Sequence, residues 1–156
     1  MQYASWDGNT VVFSTPAAPE KRMGWSNPGH DIGWFSRAAF DVGPQFMQGE
    51  NVPVSGPVFS YEDLASKFSA VTGIKAVYRQ CTLEEFWQLE GVDGVKGKEV
   101  KALGEWLAVA PDDGACYGTV GMDKLKQAQK VMGVQALSWE QFLERTGWRG
   151  PTRQGR

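Results

Sequence analysis

Apolar residues recur along the chain with two different spacings, and the switches between them mark out its elements. Asn9 to Ser14, Asn-Thr-Val-Val-Phe-Ser, is a β-branched run that reads as a strand ended by Pro16 and Pro19. A Gly- and Pro-rich loop follows to about His30. Ile32, Phe35, Ala38 and Ala39 then fall at helical spacing, with Asp31 placed as the N-cap and Val42-Gly43-Pro44 as the stop. Val52 to Gly56 reads as a short strand, and Pro53 suits an edge position. Ser60 with Asp63 resembles a capping box opening a helix whose apolar face is Tyr61, Leu64, Ala65, Phe68 and Val71, with Gly73 at its C-cap. Lys75 to Cys81 alternates polar and apolar like a half-buried strand.

The second half is helical. Thr82 with Glu85 is a capping box for a short helix to Glu90, and Gly91 to Gly97 is expected to be a flexible break. A helix over Glu99 to Val109 turns Val100, Leu103, Trp106 and Leu107 inward. Pro111-Asp112-Asp113-Gly114 signals a turn. Asp123 to Met132 is a further helix that Gly133 ends. Ser138 with Gln141 is another capping box, for a helix carrying Trp139, Phe142 and Leu143. Residues 149–156 are basic and rich in Gly and Pro, and are expected to fray as a disordered tail beyond a single partial domain over 1–148. The order β-α-β-α-β followed by helices indicates an α/β fold with a parallel sheet edge and a helical cap.

Composition narrows the function classes. The 156 residues are 42% hydrophobic and 22% charged, which suits one globular domain. Sixteen basic against 18 acidic residues give a net charge of −2, which argues against a nucleic-acid binder. The apolar runs are too short for a transmembrane helix, and the N-terminus lacks the regions of a signal peptide, so a cytoplasmic protein without a membrane partner is expected. Two cysteines, Cys81 and Cys116, make neither a disulfide framework nor a four-ligand metal site, and the single His30 excludes two-histidine zinc motifs.

Few positions carry candidate chemistry. Gly91-x-x-Gly94-x-x-Gly97 has the spacing of a phosphate-binding turn, but it follows an acidic helix rather than a buried strand, so a connector is the better reading. The Tyr-x-x-x-Lys pair of short-chain dehydrogenases is absent: Tyr3, Tyr61, Tyr78 and Tyr117 are followed four positions on by Asp7, Ala65, Thr82 and Gly121. No catalytic residue is therefore assigned. His30-Asp31 has the composition of an acid–base pair, but a loop histidine beside a helix cap is preferred, since adjacent side chains seldom point at one another. Cys81 and Cys116 read as small buried hydrophobes rather than nucleophiles. Trp34, Trp87, Trp106 and Trp139 fall in helical patterns and read as core. Trp6 and Trp25 stand in loops, where aromatics line apolar pockets or cover the core edge.

Several segments, in order, resemble the C-terminal part of NmrA-like proteins, atypical relatives of the short-chain dehydrogenases. Asp31-Ile32-Gly33-Trp34-Phe35 resembles the family's "D-I/L-G" helix start. Asn51 to Gly56 with Phe59 to Ala65 resembles its strand followed by a "T/S-x-E-E/D-x-A" helix. Ser69 to Tyr78 resembles its "S-x-x-T/L-G-K-x-V-x-Y" crossover, Leu83 to Phe86 its next short helix, and Ala136 to Leu143 its closing "A-L-T-x-x-x-W-L" helix. The resemblance implies an NAD(P)-binding Rossmann-type fold, represented here by a few strands and a helical substrate-side subdomain, without the N-terminal dinucleotide-binding half. It implies NAD(P) for the full-length family, but no tight cofactor binding and no cofactor-binding or metal residue in this chain alone. It also implies a small-molecule substrate, with Trp6, Trp25 and Tyr78 as substrate-pocket candidates, and a protein partner supplying the missing half or acting as regulatory target. An NAD(P)-dependent oxidoreductase relative, a non-enzymatic redox-sensing regulator and an inactive remnant are the three readings. A sheet without its central strands is expected to leave Val11, Phe13, Ile32 or Val54 partly exposed and the isolated chain unfolded or aggregated.

Overall fold

A computed structural model describes residues 4–44, 52–89, 94–109 and 122–152. Contacts divide the chain into two compact units. One comprises Met1–Lys21, Ser60–Ala110 and Leu143–Arg156, and the other Arg22–Phe59 and Pro111–Phe142.

The first unit is built on a three-stranded sheet. Strand β1 (Ala4–Asp7) pairs antiparallel with β2 (Thr10–Thr15), and β2 pairs parallel with β5 (Ala76–Gln80), in the order β1-β2-β5. Gly8 and Asn9 form the two-residue hairpin turn between β1 and β2, and Gly8 takes a positive φ of 57°. With a ladder on each side, β2 is a central strand, and Val11 through Thr15 are buried without the alternation of a one-sided strand. Val11 and Phe13, expected to be partly exposed, are 0% and 1% exposed. Their backbone groups are satisfied by β1 and β5. Ile32, at 49%, is exposed as expected.

Helix α2 (Tyr61–Thr72) brings Phe68 edge-on to Phe13, with ring centroids 5.5 Å apart. Trp148 closes this cluster, 5.4 Å from Phe68 and 6.3 Å from Phe13. The chain then stays bonded to the unit: the Arg149 guanidinium donates to the Thr72 carbonyl, and the Trp6 indole donates to the Pro151 carbonyl at 2.8 Å. The fraying expected from residue 149 therefore does not apply to Arg149–Pro151. Two further helices follow β5, α3 (Leu83–Leu89) and α4 (Gly94–Val109). Gly94 and Gly97 stand inside α4 rather than in a flexible break, a difference of kind from the sequence expectation. Glycine lowers helix propensity by only about 1 kcal/mol, which the packing of α4 against α3 offsets. Phe86 of α3, fully buried, lies against Gly104 of α4.

The second unit holds a two-stranded sheet of β3 (Arg22–Gly24) and β4 (Val58–Ser60), with helices α1 (Pro28–Val42) and α5 (Met122–Met132). Its core joins Phe35 and Ala38 of α1 to Met132, Val134 and Ala136, with Val52 and Val54 packed at the margin. Helix α6 spans Trp139–Thr146. The strand expected over 51–56 is not one: residues 52–57 lie in neither helix nor strand, and pairing begins at Val58. Pro53 has no N–H to donate. Gly56 is bound to the Trp25 carbonyl at 2.6 Å, so closely that a Cβ there would collide with that oxygen. The turn expected at 111–114, Cys116 and the start of the Gly91 motif lie outside the described residues.

The three capping boxes form as the sequence predicts. Ser60 and Asp63, Thr82 and Glu85, and Ser138 and Gln141 each exchange side chain-to-backbone bonds of 2.8–3.2 Å. Gly73 ends α2 in the left-handed region, at φ 71°. Replacing Thr82 or Ser138 by Ala is expected to cost about 1 kcal/mol in urea unfolding. Gly56→Ala is expected to cost more than either, because its obstacle is backbone; a cost below that of the cap variants would contradict the close approach.

Candidate functional site

Helix α1 begins at Pro28, with Asn27 as N-cap, so Asp31 is not the cap that its sequence position suggests. It sits one turn inside and is 0% exposed. Its carboxylate nevertheless does a cap's work by reaching back. Oδ2 accepts the Asn27 N–H at 2.6 Å, and Oδ1 accepts the Leu137 N–H at 3.1 Å. His30 Nδ1 lies 2.9 Å from the same Oδ1. The two adjacent side chains therefore do face one another, contrary to the sequence expectation. The reason is the backward turn of the carboxylate toward Asn27, which places Oδ1 beside the imidazole. Trp34, one turn further along, lies near-parallel to the His30 ring, with centroids 6.4 Å apart and planes at 27°.

The pocket candidates separate between the units. Trp6 and Tyr78 stand on β1 and β5 of the first unit, and Trp25 belongs to the second. Tyr78 stacks on Tyr61 at 5.1 Å. Its hydroxyl bonds to the Thr15 hydroxyl at 2.7 Å and donates toward the Ala17 carbonyl at 2.7 Å. Burial pushes this phenol up to about 12, and the bond to Thr15 opposes that only in part. The Trp6 indole is held by Pro151. Both residues thus offer ring surface, not polar atoms, to any ligand. Trp25 stacks on Phe59 at 5.5 Å and 11°.

Two further buried groups carry potential chemistry. Cys81 is buried, and burial followed by the nearby Glu85 pushes its thiol up, so it is a poor source of thiolate. Lys21 is buried with its ammonium on the Leu107 carbonyl at 3.2 Å, near the C-terminal end of α4. A cation is favourable there because the last helical carbonyls lack intrahelical partners. Nothing local in the sequence around Lys21 announces that role.

A dinucleotide pyrophosphate needs free backbone N–H groups at a helix start. The starts of α2, α3 and α6 are occupied by their own capping boxes, two with carboxylates, and at the start of α1 Asp31 takes the Asn27 N–H. Gly94 and Gly97 follow a helix and lie within one. At these four starts the N-cap N–H is taken by a side chain and is not free for a pyrophosphate. Among the described residues no group of three or more metal-ligating side chains is present, and no helix is long and apolar enough to cross a membrane.

No family model and no curated protein matches the sequence. Solved structures do match its fold. NmrA, described as a negative transcriptional regulator and solved in complex with NAD, superposes with a TM-score of 0.65 at 17% identity, over 89% of this chain and 46% of its own. A nucleoside-diphosphate-sugar epimerase from Staphylococcus aureus gives 0.64 at 16%, over 85% and 43%. An NADPH-dependent quinone oxidoreductase from Escherichia coli gives 0.61 at 15%, over 87% and 46%. The fold is thus that of part of an NmrA-like, Rossmann-type protein, as the sequence resemblance implied, and the chain spans under half the length of the structures it matches.

Two outcomes follow for the site residues. Tyr78 holds its proton in the folded state where the unfolded chain, near pH 10, has lost it. Its contribution to stability is therefore full below pH 10 and is lost as pH rises through about 12. Tyr78→Phe should flatten that alkaline loss, read by thermal melts at stepped pH. Asp31→Ala should destabilise by about 2–3 kcal/mol, because it leaves the part-buried Asn27 and Leu137 N–H groups without their acceptor. A loss under about 1 kcal/mol in urea would show that those donors reach water.

Proposed function

We propose that the chain is the substrate-side portion of an NmrA-like protein related to NAD(P)-dependent oxidoreductases, with the dinucleotide held by a nucleotide-binding half outside these 156 residues. The observation that carries this reading is the unequal coverage: 89% of this chain matches, but only 46% of NmrA. The capped helix starts support it, since they leave the described residues ill suited to a pyrophosphate. On this reading a small molecule is the substrate, and Trp6, Trp25 and Tyr78 contribute aromatic surface on the substrate side. The partner is the nucleotide-binding half, in the same polypeptide or a separate one.

A second reading is a non-enzymatic regulator that responds to the NAD(P) redox state. It is favoured by the fold shared with a structure described as a negative transcriptional regulator. Fold alone does not separate the two. Consumption of NADPH by the complete protein with a carbonyl or quinone acceptor marks the enzyme; binding without turnover marks the sensor. An inactive remnant would do neither.

The 156-residue chain on its own is expected to show no NADPH binding at micromolar concentrations, by calorimetry or by quenching of its seven tryptophans. The protein isolated from its own cells is expected to be either about twice as long or bound to a nucleotide-binding partner. Micromolar NADPH binding by the lone chain would overturn the division of labour proposed.

A further inference from the structure

We infer that residues 52–54 are a docking strand, which forms a ladder with the open sheet border of the nucleotide-binding half; the inference rests on the substrate-side reading. Val52-Pro53-Val54 has a strand-favouring composition, because β-branched side chains suit a pleated surface. The segment nonetheless lies in neither helix nor strand. Its side chains are already covered. Pro53 is buried, and Val52 and Val54 are half-buried against the core of Phe35, Ala38 and Met132. Its peptide groups are not satisfied. Among the described residues no hydrogen bond reaches the N–H of Val52 or Val54, or the carbonyl of Val52, Pro53 or Val54. The next two residues are tied. Gln129 donates to the Ser55 carbonyl at 2.9 Å, and the Gly56 N–H donates to the Trp25 carbonyl at 2.6 Å. The segment is thus anchored at one end and packed through its side chains, with its own backbone left over.

Peptide groups held in place without partners recruit a strand, as in β-strand addition. Strands β1, β2 and β5, and β3 with β4, find their ladders inside the chain. Among the described residues, 52–54 is a strand-favouring run that does not. The chain matches 46% of NmrA and 43% of the epimerase, so the larger part of such a protein lies outside the match. A Rossmann-type nucleotide-binding half is built on a mostly parallel sheet, and separating it from its remainder leaves a border strand bare. That border is a row of N–H and C=O groups, which is the chemistry that residues 52–54 need. Pro53 has no N–H, which suits the outermost position of the joined sheet, where one side of the strand stays unpaired. The ties at Ser55 and Gly56 lower the ordering cost of pairing. A second copy of this chain would have to lay the same short, proline-containing run against itself, with a donor missing on both sides.

Amide exchange at Val52 and Val54 tests the assignment. In the 156-residue chain alone both amides are expected to exchange within about tenfold of the unstructured rate, and in the protein isolated from its own cells at least about a hundredfold more slowly. Val54→Pro removes one donor, whereas Val54→Ala removes the packing and keeps the donor. In the complete protein Val54→Pro is expected to speed exchange at Val52 by about tenfold or more, and Val54→Ala by about twofold or less. Equal exchange in the two variants would overturn the proposal. So would fast exchange at both valines in a native protein whose mass includes the nucleotide-binding half; the substrate-side reading would then stand without it. A native protein with the mass of the 156-residue chain and no partner would overturn both. Protection that grows with the concentration of the lone chain would assign the strand to a second copy and overturn the partner proposed. The wild-type comparison decides the matter by itself if a variant loses its fold.

Discussion

A carboxylate with no exposed surface organises the second unit. Leaving an Asp in an apolar interior costs several kcal/mol unless its oxygens are met, and Asp31 meets three donors. Each tie has a structural consequence. The bond to Asn27 fixes where α1 begins. The bond to Leu137 holds the segment that carries Val134 and Ala136 into the core beside Phe35 and Ala38. That run delivers Ser138 to cap α6. The third tie, to His30, turns a surface imidazole into an oriented one. One side chain thus links helix start, core and exposed chemistry.

The sequence was most legible where structure is encoded over three or four residues. Ser60 with Asp63, Thr82 with Glu85 and Ser138 with Gln141 are local codes, and all three hold in the structure. The role of Asp31 is hidden in the sequence because its decisive partner, Leu137, lies 106 positions away. Proximity in the helix start suggested a cap; only the tertiary contact explains why the residue is buried one turn further in. Strand β1 is not legible although Gly8-Asn9 is a recognised hairpin pair, because four residues with one β-branched or large apolar side chain, Trp6, give little periodicity. Residues 52–56 looked like a strand by composition, yet the close approach of Gly56 to Trp25 uses the backbone that a ladder would need. The expectation of bare strands failed for the same reason: β2 finds both neighbours within the chain, one of them the unread β1.

The fold places the chain beside NmrA-like proteins without assigning chemistry to it. In this fold class the nucleotide is received by uncapped N–H groups at a helix start. Here the N-cap N–H of four helix starts is taken by the chain's own side chains, and a full side-chain cap stabilises a helix by about 1 kcal/mol. Stability and nucleotide binding draw on the same donors. The aromatic candidates follow a similar pattern, for the polar atoms of Trp6 and Tyr78 are committed to Pro151, Thr15 and Ala17.

Amide hydrogen exchange at Leu137 tests the organising role of Asp31 most directly. Leu137 lies in no helix or strand, so its protection depends on the bond to the Asp31 carboxylate. The account predicts that this amide exchanges as slowly as the core amides of α1, near Phe35 and Ala38. Exchange as fast as that of an exposed loop amide would contradict it, because the carboxylate would then not be holding the segment that completes the core.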